Sequence, residues 1–148
     1  MKIAIGCDHA AYDMKHAIMK HLEKKGYEYK DFGTYSPDSS DYPLVARDTA
    51  KAVASGEFDR GIVLCGTGIG VSIAANKIKG IRCALLSDTF SAHATREHND
   101  ANMMAMGARV IGIGLALDIV DEFLTTEFSG AERHIRRVDM IHQLENEA

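Results

Sequence analysis

Three stretches of this chain carry side chains able to do chemistry. The first is RGIVLCGTGIGVSIAANK, residues 60–77. Ile62, Val63 and Leu64 lead to Cys65, and Gly66, Thr67, Gly68, Ile69 and Gly70 follow before a small-residue segment with helical character. This reads as a buried strand, a glycine-rich turn and a helix N-terminus. Such a turn presents backbone N–H groups and the positive end of a helix dipole, both suited to an anion. A thiol facing glycines that open toward a helix N-terminus is in a setting that favours thiolate. It would serve as a nucleophile or a proton-abstracting base; the alternative is an inert buried thiol. Cys7 ends the first strand in a similar place and competes for the role, while Cys83 falls mid-strand and reads as core.

The second stretch is Asp8 and His9, at the mouth of the first strand. They read either as a helix cap with a solvated histidine or as a polar pair gripping a hydroxylated ligand. The third is split. Arg96, Glu97, His98, Asn99 and Asp100 end one helix, where a histidine can act as acid or base near neutrality, with His93 as a mid-helix rival. Arg133 and Arg137 lie four apart on one helix face and, with Arg136 and His134, form a cationic patch. Guanidinium groups hold phosphate in a forked geometry, and Arg109 is placed to join them; a solvated surface patch is the alternative.

The elements that must position these groups alternate. Residues 2–6 read as a strand, and 11–25 as a helix with Ala11, Met14, Ile18 and Leu22 on one stripe, ended by Gly26. Residues 27–32 form a second strand, and a proline-bearing loop leads to a helix from Asp41 to about Ser55. The Cys65 strand follows. Residues 81–86 and 102–106, the latter extending toward Val110, are the remaining strands. Helices run from Asp88 or Thr89 to about His98, over 113–126 with Leu115, Ile119 and Phe123 as its stripe, and over 132–146. Alternating strands and helices argue a parallel sheet covered on both faces, with every strand's carboxyl end on one rim. If the first and third strands are neighbours, the crevice between them is a topological switch point, where such sheets bind ligands.

Composition narrows the class. The 148 residues are 46% hydrophobic and 26% charged, ordinary for one globular domain. A net charge of −4 gives no support to nonspecific nucleic-acid binding. Three cysteines at no metal-like spacing speak against a disulfide framework or a zinc site and fit a reducing cytoplasm. The opening MKIAIGCDH has too short an apolar core for a secretory leader. GTGIG is too short for a dinucleotide fingerprint and lacks the Lys-Ser/Thr of a P-loop.

Taken together, CDHA after strand 1, DYP before the second helix, CGTGIG-x-SIAANK, REHND-x-N and RHIRRV resemble ribose-5-phosphate isomerase type B. That family of sugar-phosphate isomerases also holds allose-6-phosphate and galactose-6-phosphate isomerases. The resemblance runs through essentially the whole chain, in order. It implies a three-layer α/β/α fold with a five-stranded parallel Rossmann-like sheet and an extra C-terminal helix. It further implies an aldose–ketose isomerisation of ribose 5-phosphate without metal or organic cofactor. One branch of the family uses a glutamate directly after the glycine loop as base. Here Val71 follows the loop and Cys65 is present, so the chain looks like the cysteine branch.

Carried over by resemblance, Cys65 is the base, Thr67 moves protons between substrate oxygens, and His98 opens the sugar ring. Asp8, His9, Tyr42 and Asn99 bind hydroxyls, and the amides of Gly66, Gly68, Ile69 and Gly70 face the enediolate. Arg109, Arg133 and Arg137 hold phosphate, with Arg136 one residue from the expected register. The family implies a homodimer, or a tetramer, with sites between subunits, and His98, Asn99 and Arg109 coming from the chain that partners the Cys65 chain. The C-terminal helix would serve phosphate binding and dimer contacts. A six-carbon substrate, or a non-catalytic phosphate-ligand sensor, are the competing expectations.

Overall fold

The computed structural model describes residues 1–147. Five strands, β1 (Lys2–Cys7), β2 (Glu28–Asp31), β3 (Arg60–Cys65), β4 (Cys83–Leu85) and β5 (Met103–Gly107), form one parallel sheet in the order β2-β1-β3-β5-β4. Six α-helices complete the described residues: α1 (Tyr12–Lys25), α2 (Tyr42–Ala54), α3 (Ile69–Ala75), α4 (Thr89–Asn99), α5 (Ile113–Thr125) and α6 (Glu132–Leu144). A 3-10 turn, His9–Ala11, precedes α1. This is the expected layered α/β architecture with a parallel five-stranded sheet. None of the helices is long and apolar enough to cross a membrane.

Period-two alternation assigns each strand residue to a layer. Ile3, Ile5, Cys7, Ile62, Leu64, Met104 and Met106 pack with α1 and α5 on one face. Ala4, Val63, Cys65, Met103 and Ala105 pack on the other, with α2 and α3. The small residues of α2, Ala46 and Ala50, are fully buried against the sheet. The α6 helix lies outside the layers and rests on α4.

Element ends differ from the sequence expectations in instructive ways. β1 runs one residue further, to Cys7, because Asp8 N–H still finds the Leu64 carbonyl at 3.1 Å. β4 is only three residues, since the Arg82 N–H goes to the Asn102 side chain at 2.8 Å rather than to a ladder. β5 stops at Gly107 and does not reach Val110, because a turn begins where the Arg109 and Val110 amides bond Gly66 and Gly107 carbonyls. Asp41 stands at the N-cap of α2 without a side-chain cap bond, whereas Asp88 caps α4 through the Ser91 amide at 2.6 Å.

β1 pairs with β3 over Ile3–Cys7 against Arg60–Leu64, so the two strands are neighbours. β2 lies on the other side of β1, and the chain reverses direction across the sheet between β1 and β3. The switch point therefore lies between the ends that carry Asp8 and Cys65.

Candidate active site

At that point the carboxyl rim opens into a cavity of about 440 Å³ lined by Asp8, Tyr42, Cys65, Gly66, Thr67, Ile69, Gly70, Ile73 and Arg109. Cys65 is 5% exposed and accepts the Gly68 N–H at 3.0 Å. That contact points a main-chain donor at the sulfur. It requires the chain to double back, and Gly68 does so with φ +77°. A Cβ there would lie 2.7 Å from the Met106 carbonyl carbon, so the loop sits against the β5 backbone. Reciprocally, a Cβ on Gly107 would lie 2.5 Å from the Thr67 carbonyl carbon.

The rival thiols are placed differently. Cys7 projects into the α1–α5 layer with no exposed surface, and burial pushes its thiol up to about 11 against the pull of Lys15. Cys83 begins β4 instead of lying mid-strand and is half-buried instead of core, because β4 is a short edge strand. Burial of its sulfur pushes that thiol up to about 12. Alkylation at pH 8 followed by peptide mapping is therefore expected to label Cys65 first and to leave Cys7 and Cys83 as thiols. Labelling of Cys7 ahead of Cys65 would contradict this ordering.

Asp8 is the cap the sequence offered, and it also faces the cavity. One carboxylate oxygen caps the 3-10 turn through the Ala10 amide at 2.9 Å, and the side chain lines the cavity. His9 is fixed by a reciprocal pair: its N–H donates to Ser40 Oγ and its Nδ1 accepts the Ser40 N–H, both at 3.2 Å. Nδ1 is thus an acceptor and the ring proton belongs on Nε2. Sequence reasoning did not single out Ser40, whose partner lies 31 residues away. It also missed Lys15, which is fully buried beside the α1 stripe and bonded to Asp31 at 2.9 Å and to the Thr34 carbonyl at 2.5 Å. These bonds anchor the start of the loop that carries Ser40.

Tyr42 folds over the start of α3. A Cβ on Gly70 would lie 2.6 Å from the Tyr42 Cζ. Gly70→Ala is expected to displace the ring and raise KM several-fold with little change in thermal stability. An unchanged KM would remove Tyr42 from the site. Thr67 is exposed, and its Oγ accepts the Ile69 N–H at 3.2 Å, which turns the hydroxyl proton outward. The Gly68 and Ile69 amides are therefore engaged within the loop, unlike the expectation that all four loop amides face a ligand. Ile73 lines the cavity and was not anticipated; a helix position i+4 from Ile69 was the signal for it.

Arg109 also stands in this cavity. Its N–H donates to the Gly66 carbonyl at 2.9 Å, and its guanidinium is 3.3 Å from where a Gly66 Cβ would be. The expectation that Arg109 joins His98 and Asn99 on the partner's side is corrected: it sits with Cys65 in one chain, because β5 is the neighbour of β3.

The other residues gather elsewhere. His98, Asn99, Arg133 and Arg137 do not line the Cys65 cavity; Asn99 lines a separate one of about 420 Å³ with Asn76, Arg82, Cys83 and Glu145. His98 is exposed at the end of α4, with Glu97 Oε2 3.6 Å away, and its ring lies against the ring of His134. That helix end is held from beneath. Arg96 is 2% exposed and bonds Asp100 Oδ1 at 2.9 Å and the Ala101 carbonyl at 2.6 Å, while Arg82 bonds the Asn99 and Asp100 carbonyls at 3.1 Å. The rival His93 is bonded to Glu122 at 2.8 Å and to Glu97 at 3.0 Å. The Glu122 hydrogen bond raises its pKa most, which commits it to that pairing. Arg133, Arg136 and Arg137 are all exposed, but Arg133 and Arg137 are the two whose charge acts on His134. Among the described residues no group of three or more His, Cys, Asp or Glu side chains is placed to hold a metal.

A thiol, a glycine loop and polar side chains at the switch point of a parallel sheet define an α/β protein with a small-molecule site. Residues 3–141 match the model of the family described as Ribose/Galactose Isomerase, and the chain belongs to that family. Ribose-5-phosphate isomerase B of Escherichia coli (strain K12) is 49% identical over 97% of this chain and 96% of its own length. Galactose-6-phosphate isomerase subunit LacB of Clostridium acetobutylicum is 43% identical over 97% of this chain and 83% of its own. The solved structure of Clostridium thermocellum ribose-5-phosphate isomerase B superposes with a TM-score of 0.97 at 54% identity, covering 99% of both chains.

Proposed function

We infer that this chain is an aldose–ketose isomerase interconverting D-ribose 5-phosphate and D-ribulose 5-phosphate. The observation that carries the reading is Cys65, aimed into the cavity and hydrogen-bonded by the Gly68 amide, in a chain of this family.

The proton on C2 of the open aldehyde is weakly acidic, and its removal builds an enediolate. Cys65 takes that proton and returns it to C1, while Thr67 moves a proton between the two oxygens. With the Gly68 and Ile69 amides engaged, those of Gly66 and Gly70 are left for the enediolate charge, each such donor worth roughly 3–4 kcal/mol in the transition state. The positive end of α3 adds to this field. Asp8, His9 through Nε2, Tyr42 and Asn99 hold hydroxyls. Arg133 and Arg137 hold the phosphate, whose remote binding energy orients the reacting carbons. Arg109 lends positive charge to the Cys65 side. His98 opens the furanose by moving the proton of the anomeric hydroxyl to the ring oxygen.

The Cys65 group and the His98 group line different parts of one chain, which supports a complete site built from two copies. The protein acts as a homodimer, with α6 contributing phosphate ligands and dimer contacts. Chain 1–148 works as one catalytic domain without metal or organic cofactor. It serves the pentose phosphate pathway in the cytoplasm, where its thiols stay reduced. The similarity to a galactose-6-phosphate isomerase subunit favours a six-carbon sugar phosphate as the second reading.

Initial rates with ribose 5-phosphate, allose 6-phosphate and galactose 6-phosphate decide between the two. The five-carbon substrate is expected to give the highest kcat/KM, with the rate unaffected by chelator. A higher value with a six-carbon sugar would move the assignment to the second reading. Tight binding of all three without turnover would replace it with a sensor.

A further inference from the structure

His98 has a neighbour for which the sequence suggested no role beyond membership of the cationic patch. At the junction of α4 and α6 its ring lies 4.6 Å, centroid to centroid, from the ring of His134, the planes inclined by 39°. His98 keeps 49% of its side chain exposed, whereas His134 is 6% exposed and the residues around it on α6, Arg133, Ile135, Arg136 and Arg137, are all exposed. His134 is thus the inward-facing member of the cationic turn.

Its orientation is set by Ser129. The Ala131 N–H donates to Ser129 Oγ at 3.2 Å, so the serine hydroxyl proton is free to go to His134 Nδ1, 2.6 Å away. With the serine as donor, His134 Nδ1 is the acceptor and its ring proton sits on Nε2. The Ser129 N–H in turn donates to the Glu97 carbonyl at 3.0 Å, one residue before His98. A single serine therefore ties the backbone beneath His98 to the ring beside it.

We propose that His134 is a positioning residue for His98, its tilted ring packing against the His98 ring to fix its angle and linking it to the helix that bears Arg133 and Arg137. The proposal rests on the reading of His98 as the ring-opening group. A half-exposed histidine at a helix end otherwise samples several rotamers, and proton transfer demands one. Burial first, then Arg133, His98 and Arg137, lower the His134 pKa, so a charge on that ring is disfavoured. Around the pair, Glu97 lies 3.6 Å from His98 on its own helix, and Arg133 and Arg137 of α6 act on His134; Arg96 and Asp100 are paired with each other, and Glu122 of α5 is taken by His93.

Three variants separate the ring from its hydrogen bond and its charge. His134→Asn keeps an acceptor for Ser129 but removes the ring, His134→Phe keeps a ring without the acceptor, and His134→Lys adds a cation. Two rates are read: isomerisation of ribose 5-phosphate, which is cyclic, and loss of the C1 proton of ribulose 5-phosphate to D2O. The second substrate is open-chain, because its 5-hydroxyl is esterified, and needs no ring opening. His134→Asn is expected to slow isomerisation roughly 10- to 100-fold, the order of cost of a misplaced catalytic group. Its exchange rate, and its inhibition by inorganic phosphate, should stay within a few-fold of wild type. His134→Phe is expected to keep most of the isomerisation rate. In His134→Lys the acidic limb of kcat/KM should move to lower pH, because a neighbouring cation disfavours protonation of His98. Equal losses in the Asn and Phe variants, or an exchange rate that falls as far as isomerisation, would overturn the proposal. Absence of isomerisation in the wild-type protein would instead overturn the function on which it rests.

Discussion

Cys65→Ala is expected to lower turnover of ribose 5-phosphate by about 10²–10⁴-fold, the range spanned by loss of a general base. Binding of the same compound by calorimetry should change little, since the arginines and hydroxyl-binding groups remain. Cys65→Ser should be nearly as inactive, because an alcohol in the same position is a far weaker acid and is mostly protonated at neutral pH. Cys7→Ala is expected to keep its activity: that thiol faces the opposite layer and is sealed from the cavity. Near-normal turnover in the Cys65→Ala protein would refute the assignment of the base. The same variant reads out the assembly. Coexpressed with a His98→Asn chain, itself inactive on the cyclic substrate, it should regain part of the activity if each site draws on two copies. No recovery in a confirmed heterodimer would place the whole site in one chain.

Gly107→Ala is expected to cost both stability and activity. The new methyl would meet the Thr67 backbone at 2.5–2.7 Å, a contact that no rotamer change relieves. Forcing a carbon into such a space typically costs 1–3 kcal/mol. The segment that must yield is Thr67–Gly68, which carries the amide bonded to Cys65, so kcat should fall at least about tenfold, a further case of a misplaced catalytic group. The same substitution at Gly114, in α5 with nothing within 4 Å of its Cβ, should be neutral or stabilising by about 0.5–1 kcal/mol. Thermal melts and initial rates on the two variants give opposite signs if the close approach of β5 to the loop matters. A Gly107→Ala protein with native rate and melting temperature would show that the loop has room to move.

What the sequence disclosed depended on how local each signal was. The strand–loop–helix at Cys65 is written in consecutive residues: an apolar run, glycines, then small helical residues. The layers followed from alternation of the elements, and the choice between Cys7 and Cys65 is implicit in their parity along β1 and β3. Other features arise from partners far apart in the chain. Ser40 orients His9 across 31 residues, and Lys15 is buried only because Asp31 and the Thr34 carbonyl lie where α1 crosses the loop. Gly107 looks like any strand-ending glycine until β5 is known to flank β3. The same pairing put Arg109 beside Gly66, a position that depends on strand order, which periodicity does not encode.

The two outer strands have a consequence for how copies of this chain meet. β2 has four residues and β4 three, and β2 sets Glu28, Lys30 and Asp31 around a single Tyr29. Both borders are short and β2 is charged as well, so they offer little unpaired main chain for another strand to zip onto. Growth of the sheet from one molecule into the next is thereby disfavoured, and runaway fibre-like stacking with it. In the proposed homodimer, contact would fall to helices and loops, whose side chains can specify one orientation and stop at a closed pair. A blunt sheet border thus guards the chain against open-ended strand pairing.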